Sequence, residues 1–198
     1  MSADILTDTP SAWVGCLSCY NSGRLFGKWL DGNACDDLAA AGLATFENVA
    51  GYLAYRCVKC FGDEFSVMDH QNFHGLITGE CSTSEAVKAA DILEELEEDK
   101  REAFGAWVSN GSGDIESGSQ FEEAYCGEWD NFRAYSDQYV EDTGMLTVHN
   151  KYYGHDQIDD VSAIIRYFDY DAFSRDLEHD YWTHDTGRGS VLVFNANS

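Results

Sequence analysis

Three residue pairs in this chain have spacings at which two side chains can share a metal ion: Cys16-x-x-Cys19, Cys57-x-x-Cys60 and His70-x-x-x-His74. Two Cys-x-x-Cys pairs in one chain outline a four-sulfur zinc site. The setting of the first pair argues against that reading. Cys16 and Cys19 fall within AWVGCLSCY, residues 12–20, a short apolar run with the character of a buried strand. Residues three apart on a strand point to opposite faces. Neither pair shows a glycine placed to shape a metal-binding knuckle. The expectation is no metal and no cofactor, with the cysteines packed as small hydrophobes.

Other chemistries find less support. There is no D-x-[DN]-x-[DN]-G calcium loop, and DGNACDDL has its glycine in the wrong place. Serine-nucleophile elbows, phosphate loops and dinucleotide fingerprints are missing too, so no catalytic residue is assigned. Carboxylate pairs are too numerous to rule out a glycosidase-type couple by counting, but such a couple needs two acids in different environments. The six histidines, at 70, 74, 149, 155, 179 and 184, do not cluster.

What the chain has in excess is carboxylate. Its 198 residues hold 36 Asp and Glu against 12 Lys and Arg, a formal charge of −24. Nucleic acid and anionic membrane are poor partners for such a surface, and a Lys- and Arg-rich cleft is a good one. Residues 85–142 carry 17 acids and 4 bases, more than half of the excess. In that stretch Asp91, Glu95, Glu98 and Glu102 stand at i, i+4, i+7 and i+11, a ridge about 16 Å long if one helix carries them all. Glu94 lies beside it. Like charges at these spacings repel by a few tenths of a kcal/mol per pair, so stability alone would favour lysines there.

A second acidic stretch is FEEAYCGEWDNFRAYSDQYVED, residues 121–142. Phe121, Tyr125, Trp129, Phe132, Tyr135 and Tyr139 recur at steps of three and four, the spacing of one helical face. Around them stand Glu122, Glu123, Glu128, Asp130, Asp137, Glu141 and Asp142, with Arg133 as the one base. A ring-rich stripe buries one side and leaves carboxylates facing water. B-DNA presents one charge per about 1.7 Å of axis, so 24 charges correspond to roughly 40 Å of duplex. The count is compatible with a protein that imitates DNA. An even coat for solubility or high salt is the plainer account, but charge concentrated on helix ridges fits a binding surface better.

Elements to hold these groups can be placed from pattern. Residues 12–20 and the run RLFGKWLD read as a strand pair turned at Asn21-Ser22-Gly23. Residues 36–54 look helical, loosened by Gly42 and Gly51. FGDEFSVMD is a further strand. Ser82-x-x-Glu85 has capping-box spacing and opens a helix whose buried side is Val87, Ala90, Leu93 and Leu96. AFGAWV continues helically, and NGSGDIESGS is a connector. Ser119-x-x-Glu122 repeats the capping spacing, Gly127 breaks the following helix, and Asp130 or Asn131 caps another that stops at Gly144. MLTVHNKYYG alternates like a strand, residues 156–182 are helical in period, and RGSVLVFNANS ends as a strand. The amino terminus has no signal-peptide pattern, no apolar run spans a bilayer, and seven cysteines read as free thiols. The expected compartment is the cytoplasm.

Three blocks in order, YNSGRLFGKWLD at 20–31, FEEAYCGEWDNF at 121–132 and YFDYDAFSRDLEHDYW at 167–182, resemble the ArdA antirestriction proteins. The resemblance implies a homodimeric protein of mobile genetic elements, such as conjugative plasmids or transposons. Such a protein mimics bent DNA and occupies the DNA-binding groove of type I restriction-modification enzymes. It implies an α+β, elongated chain of three small domains: a mixed α/β domain at 1–80, a helical domain at 81–118 and a mixed α/β domain with the dimer contact at 119–198. Glu122, Glu123, Glu128 and Asp130 match acidic positions of the family's block. The chain departs from the family in its Gly- and Ala-rich stretch at 33–51, its extra cysteines and its longer C-terminal half. A zinc-binding regulator using the Cys and His pairs, and a salt-adapted acidic enzyme, are the rival readings.

Overall fold

A computed structural model describes residues 9–31, 47–49, 52–54, 57, 59–146 and 165–197. The chain forms two compact units that divide between Ser117 and Gly118. The expected domain edges, 80/81 and 118/119, lie inside the first unit and one residue past this division, respectively.

In the first unit, strand β1 (Ser11–Cys16) is the centre of a three-stranded antiparallel sheet, flanked by β2 (Gly27–Asp31) and β5 (Phe65–Gln71). Two short strands, β3 (Glu47–Val49) and β4 (Tyr52–Ala54), form a separate antiparallel hairpin. The helical expectation for residues 36–54 fails at these strands. A two-residue link containing Gly51 is a hairpin signal, and the β-branched and aromatic residues beside it, Val49 and Tyr52, favour extended backbone. The remainder of that stretch, 36–46 and 50–51, lies outside the described residues.

Alternation decides which face of the sheet is covered. Ala12 and Val14 of β1 and Val67 of β5 turn to one side, all fully buried. On that side lies helix α2 (Thr83–Glu95), whose Ala86, Ala89, Ala90 and Leu93 complete the core with Phe73 and Ile77. Val87 and Leu96 pack at its margin rather than in it. One hydrophobic core therefore includes residues from both sides of position 80.

The expected capping box is present: Ser82 Oγ accepts from the Glu85 N–H at 3.2 Å and Glu85 Oε2 accepts from the Ser82 N–H at 2.8 Å. Helix α3 (Arg101–Ser109) buries Ala103, Phe104, Gly105, Ala106 and Trp107. A Cβ at Gly105 would stand 1.7 Å from the His74 carbonyl oxygen, so only glycine allows α3 this close to the turn at His74.

The second unit is built on an antiparallel sheet in the order β6 (Tyr125–Trp129), β8 (Val191–Asn195), β7 (Tyr181–Asp185). Helix α4 (Gly118–Ala124) precedes β6, and α5 (Phe132–Thr143) follows it. Ser119 lies inside α4 rather than capping it. Asn131 caps α5 through a 3.0 Å bond from the Ala134 N–H, and Gly144, at φ 61, ends it. Helix α6 (Tyr170–Leu177) is capped by Asp169, whose side chain accepts from the Ala172 N–H at 2.9 Å. The end of the expected final helix, Tyr181 and Trp182, is instead the start of β7. Residues 147–154 and 156–164, expected as strand and helix, lie outside the described residues.

The aromatic stripe is not one helical face. Tyr125 pairs with Phe194 and Glu128 with Leu192, so Cys126 and Gly127 together oppose a single residue of β8. Gly127, at φ 103, takes the conformation this bulge requires. One extra residue sends Tyr125 and Trp129 to opposite faces of the sheet. Tyr125 stacks with Phe121 and meets Phe194, itself stacked on Trp182 at 4.0 Å. Trp129 packs with Phe132, Tyr135, Tyr139, Tyr181 and Val193 on the other face.

Candidate functional site: acidic surfaces and a cysteine cluster

In the first unit, the four acids of the proposed ridge do not share one helix. Leu96, with φ −84 and ψ 146, ends α2; a single 3-10 turn, Glu98–Lys100, follows, and α3 starts at Arg101. Asp91, Glu94 and Glu95 are exposed on the last turns of α2, Glu98 is exposed on the 3-10 turn, and Glu102 is half-buried in the first turn of α3. The continuous 16 Å ridge is thus corrected to two short acidic segments with a bend between them. Leu96 leaves the helix with extended backbone while still packing against the first-unit core, so the acids beyond it depart from the α2 axis.

In the second unit Glu122 and Glu123 are exposed on α4, Glu128 on β6, Asp130 at the turn after it, and Glu141 and Asp142 on the last turn of α5. Asp137 is half-buried and accepts from Arg133 Nε at 2.7 Å. The same guanidinium bonds Asp171 of α6 and lies 5.4 Å above the Tyr170 ring. Arg133 therefore clasps α5 to α6, and Asp137 belongs to that clasp. Glu128 is engaged as well, by Ser190 Oγ and, at 3.7 Å, by Arg188. Asp142 accepts from Gln138 at 2.7 Å. Asp91, Glu95, Glu98, Glu123, Asp130 and Glu141 have no cationic side-chain partner among the described residues.

The first unit also holds a group that the strand assignment concealed. β1 ends at Cys16, and helix α1 (Leu17–Asn21) begins immediately, so Cys16 and Cys19 are not three apart on a strand. One helical turn places both thiols on the same side. Cys57 and Cys60 face them: Sγ separations are 3.4 Å for Cys16–Cys60, 3.4 Å for Cys19–Cys60 and 3.6 Å for Cys19–Cys57. All four sulfurs lie within 4.8 Å of one another, and Phe26 and Phe65 pack around them.

A glycine does shape this turn. Gly62 lies two positions after Cys60, and a Cβ there would meet Ser18 Oγ at 2.7 Å and Cys60 Sγ at 3.2 Å. That residue was the available signal in the sequence. Its backbone is the main cause that lowers the Cys60 thiol to about 7, while burial pushes Cys19 up to about 12. His70 and His74 do not join the cluster, and His70 packs edge-on against Phe73.

The family model of the antirestriction protein ArdA matches residues 12–191. The chain belongs to the ArdA family. Membership gives it an antirestriction role and an interaction with restriction enzymes, within a family not known for catalysis. A search of curated proteins finds no match. No helix among the described residues is long and apolar enough to cross a membrane.

The second and third blocks that carry the ArdA resemblance meet in space. Residues 121–132 supply α4, β6 and the start of α5; residues 167–182 supply α6 and the start of β7. Phe132 and Tyr181 have ring centroids 6.0 Å apart, and Tyr135 and Tyr181 5.1 Å. Much of what makes this ArdA chain recognisable is the aromatic frame, and its acids are what that frame displays.

Proposed function

We propose that this ArdA chain is an acidic DNA mimic that occupies the DNA-binding groove in the methyltransferase core of type I restriction-modification enzymes. It blocks restriction, and modification with it, by stoichiometric binding without turnover. The carrying observation is that ten of the twelve candidate carboxylates are exposed: Asp91, Glu94, Glu95, Glu98, Glu122, Glu123, Glu128, Asp130, Glu141 and Asp142.

Physics supports the reading in two ways. A groove lined by Lys and Arg attracts the summed field of many fixed carboxylates. Pre-setting those carboxylates on packed helices and strands reduces the ordering entropy lost on binding. The Phe132, Tyr135, Tyr181 cluster is such a frame, with Tyr135 and Phe132 each 9% exposed. In this reading the chain acts as a homodimer through residues 119–198, in the cytoplasm, on behalf of a mobile element.

The test is competition. Purified protein should displace duplex DNA from a type I methyltransferase at near-equimolar concentration, with an affinity that falls as salt rises. DNA retention at a tenfold excess of the protein would refute the mimic.

A further inference from the structure

We infer that Cys16, Cys19, Cys57 and Cys60 form a structural zinc site, a closed tetrathiolate that pins the start of α1 to the segment 57–60. Four sulfurs about 2.3 Å from a central zinc stand about 3.8 Å apart from each other. Three of the separations here are 3.4, 3.4 and 3.6 Å, and no pair exceeds 4.8 Å. A disulfide needs sulfurs at about 2.05 Å. All four cysteines are free. The spacing therefore suits a shared ion better than a covalent pair.

The backbone around the second pair is arranged as a metal knuckle. The Lys59 N–H donates to Cys57 Sγ at 3.3 Å. The Phe61 N–H donates to the Cys57 carbonyl at 2.7 Å, and the Cys57 N–H to the Gly62 carbonyl at 2.6 Å. Closing that turn puts Phe61 at φ 57 with its ring 74% exposed. A bulky residue in the left-handed region, with no buried ring to hold it there, is a local strain that needs an anchor, and a bond from the neighbouring sulfur to a metal supplies one. Amide donors onto thiolates perform the orienting role that outer partners have at metal centres.

The donor set selects the ion. Four soft thiolates in a tetrahedron suit zinc, and they leave no open position for water or substrate, so the site is structural rather than catalytic. On binding, four Zn–S bonds form and the thiol protons still present pass to solvent. The cross-links span 38 residues, from Cys19 to Cys57, and 44, from Cys16 to Cys60. Without the ion, three buried sulfurs would be left in a small cluster of their own, joined to the main core of the unit through Phe65.

Elemental analysis of the reduced full chain, purified without added metal, should find one zinc per chain. Cys16→Ser and Cys57→Ser should lower zinc to background. Cys81→Ser, whose thiol lies outside the cluster, should keep it. Because either cluster variant could misfold, the intact chain supplies an independent measurement: the apo-protein titrated with cobalt should develop sulfur-to-metal absorption that saturates at one equivalent. Saturating zinc should raise its melting midpoint by about 5–10 °C. Iron in place of zinc, cobalt binding without saturation at one equivalent, or equal zinc in Cys57→Ser and the parent chain would each overturn the assignment.

Discussion

A single glycine shows how one residue can fix the approach of two elements. Gly105 lies on the buried face of α3, where a methyl group would collide with the carbonyl of His74, a backbone atom that cannot rotate aside. Gly105→Ala should therefore destabilise the chain by at least about 2 kcal/mol, despite the better helix propensity of alanine. Denaturant unfolding decides it, and a gain in stability would mean that α3 can retreat from the turn. At the surface the expectation reverses. Glu123 is exposed with no cationic partner among the described residues, so under the proposed DNA mimicry Glu123→Gln should weaken binding to a methyltransferase by less than about fivefold. A larger loss at this one position would show a specific contact in place of a summed field.

Elements were legible where local chemistry decides them, and α2 is the clearest case. Ser82 and Glu85 announce its start, and the reciprocal bonds are both formed. Ser82→Ala should cost about 1 kcal/mol. The Glu85 carboxyl is held below its ordinary value, first by the Ser82 hydroxyl and then by the Ser82 N–H. A depressed native value stabilises above the unfolded value, about 4.3, and the benefit is lost as pH falls through the native one. The stability gap between the parent chain and Glu85→Gln should accordingly close as the solution is acidified below about pH 4.3. A gap that widens there would contradict the box.

Where tertiary pairing decides, pattern misled. Phe121, Tyr125 and Trp129 keep helical spacing across a bulged strand, because β8 supplies the hydrogen bonds and Gly127 absorbs the extra residue. No local signal at Tyr125 distinguishes the two. The cysteines failed for the same reason: β1 stops one residue after Gly15, where the apolar run alone gives no sign of an end. Gly62 was the signal that outranked it.

At the scale of the molecule, charge is a collective property and must be tested collectively. Asp91 and Glu95 occupy the end of α2 and Glu98 the turn beyond it, all exposed and without cationic partners among the described residues. They are not among the side chains that make up the first core, so replacing all three by Asn and Gln should leave the fold intact and remove only field. Each exposed charge contributes little alone, yet the loss of three that act on the proposed basic groove should weaken binding roughly tenfold to a hundredfold at low salt. Their loss must also reduce the number of ions displaced on association, so the plot of log affinity against log salt should become shallower. Affinity that drops with no change of slope would indicate a short-range contact or an altered fold. Affinity and slope both unchanged would remove this acidic segment from the surface that meets the enzyme and leave the carboxylates of the second unit to carry it.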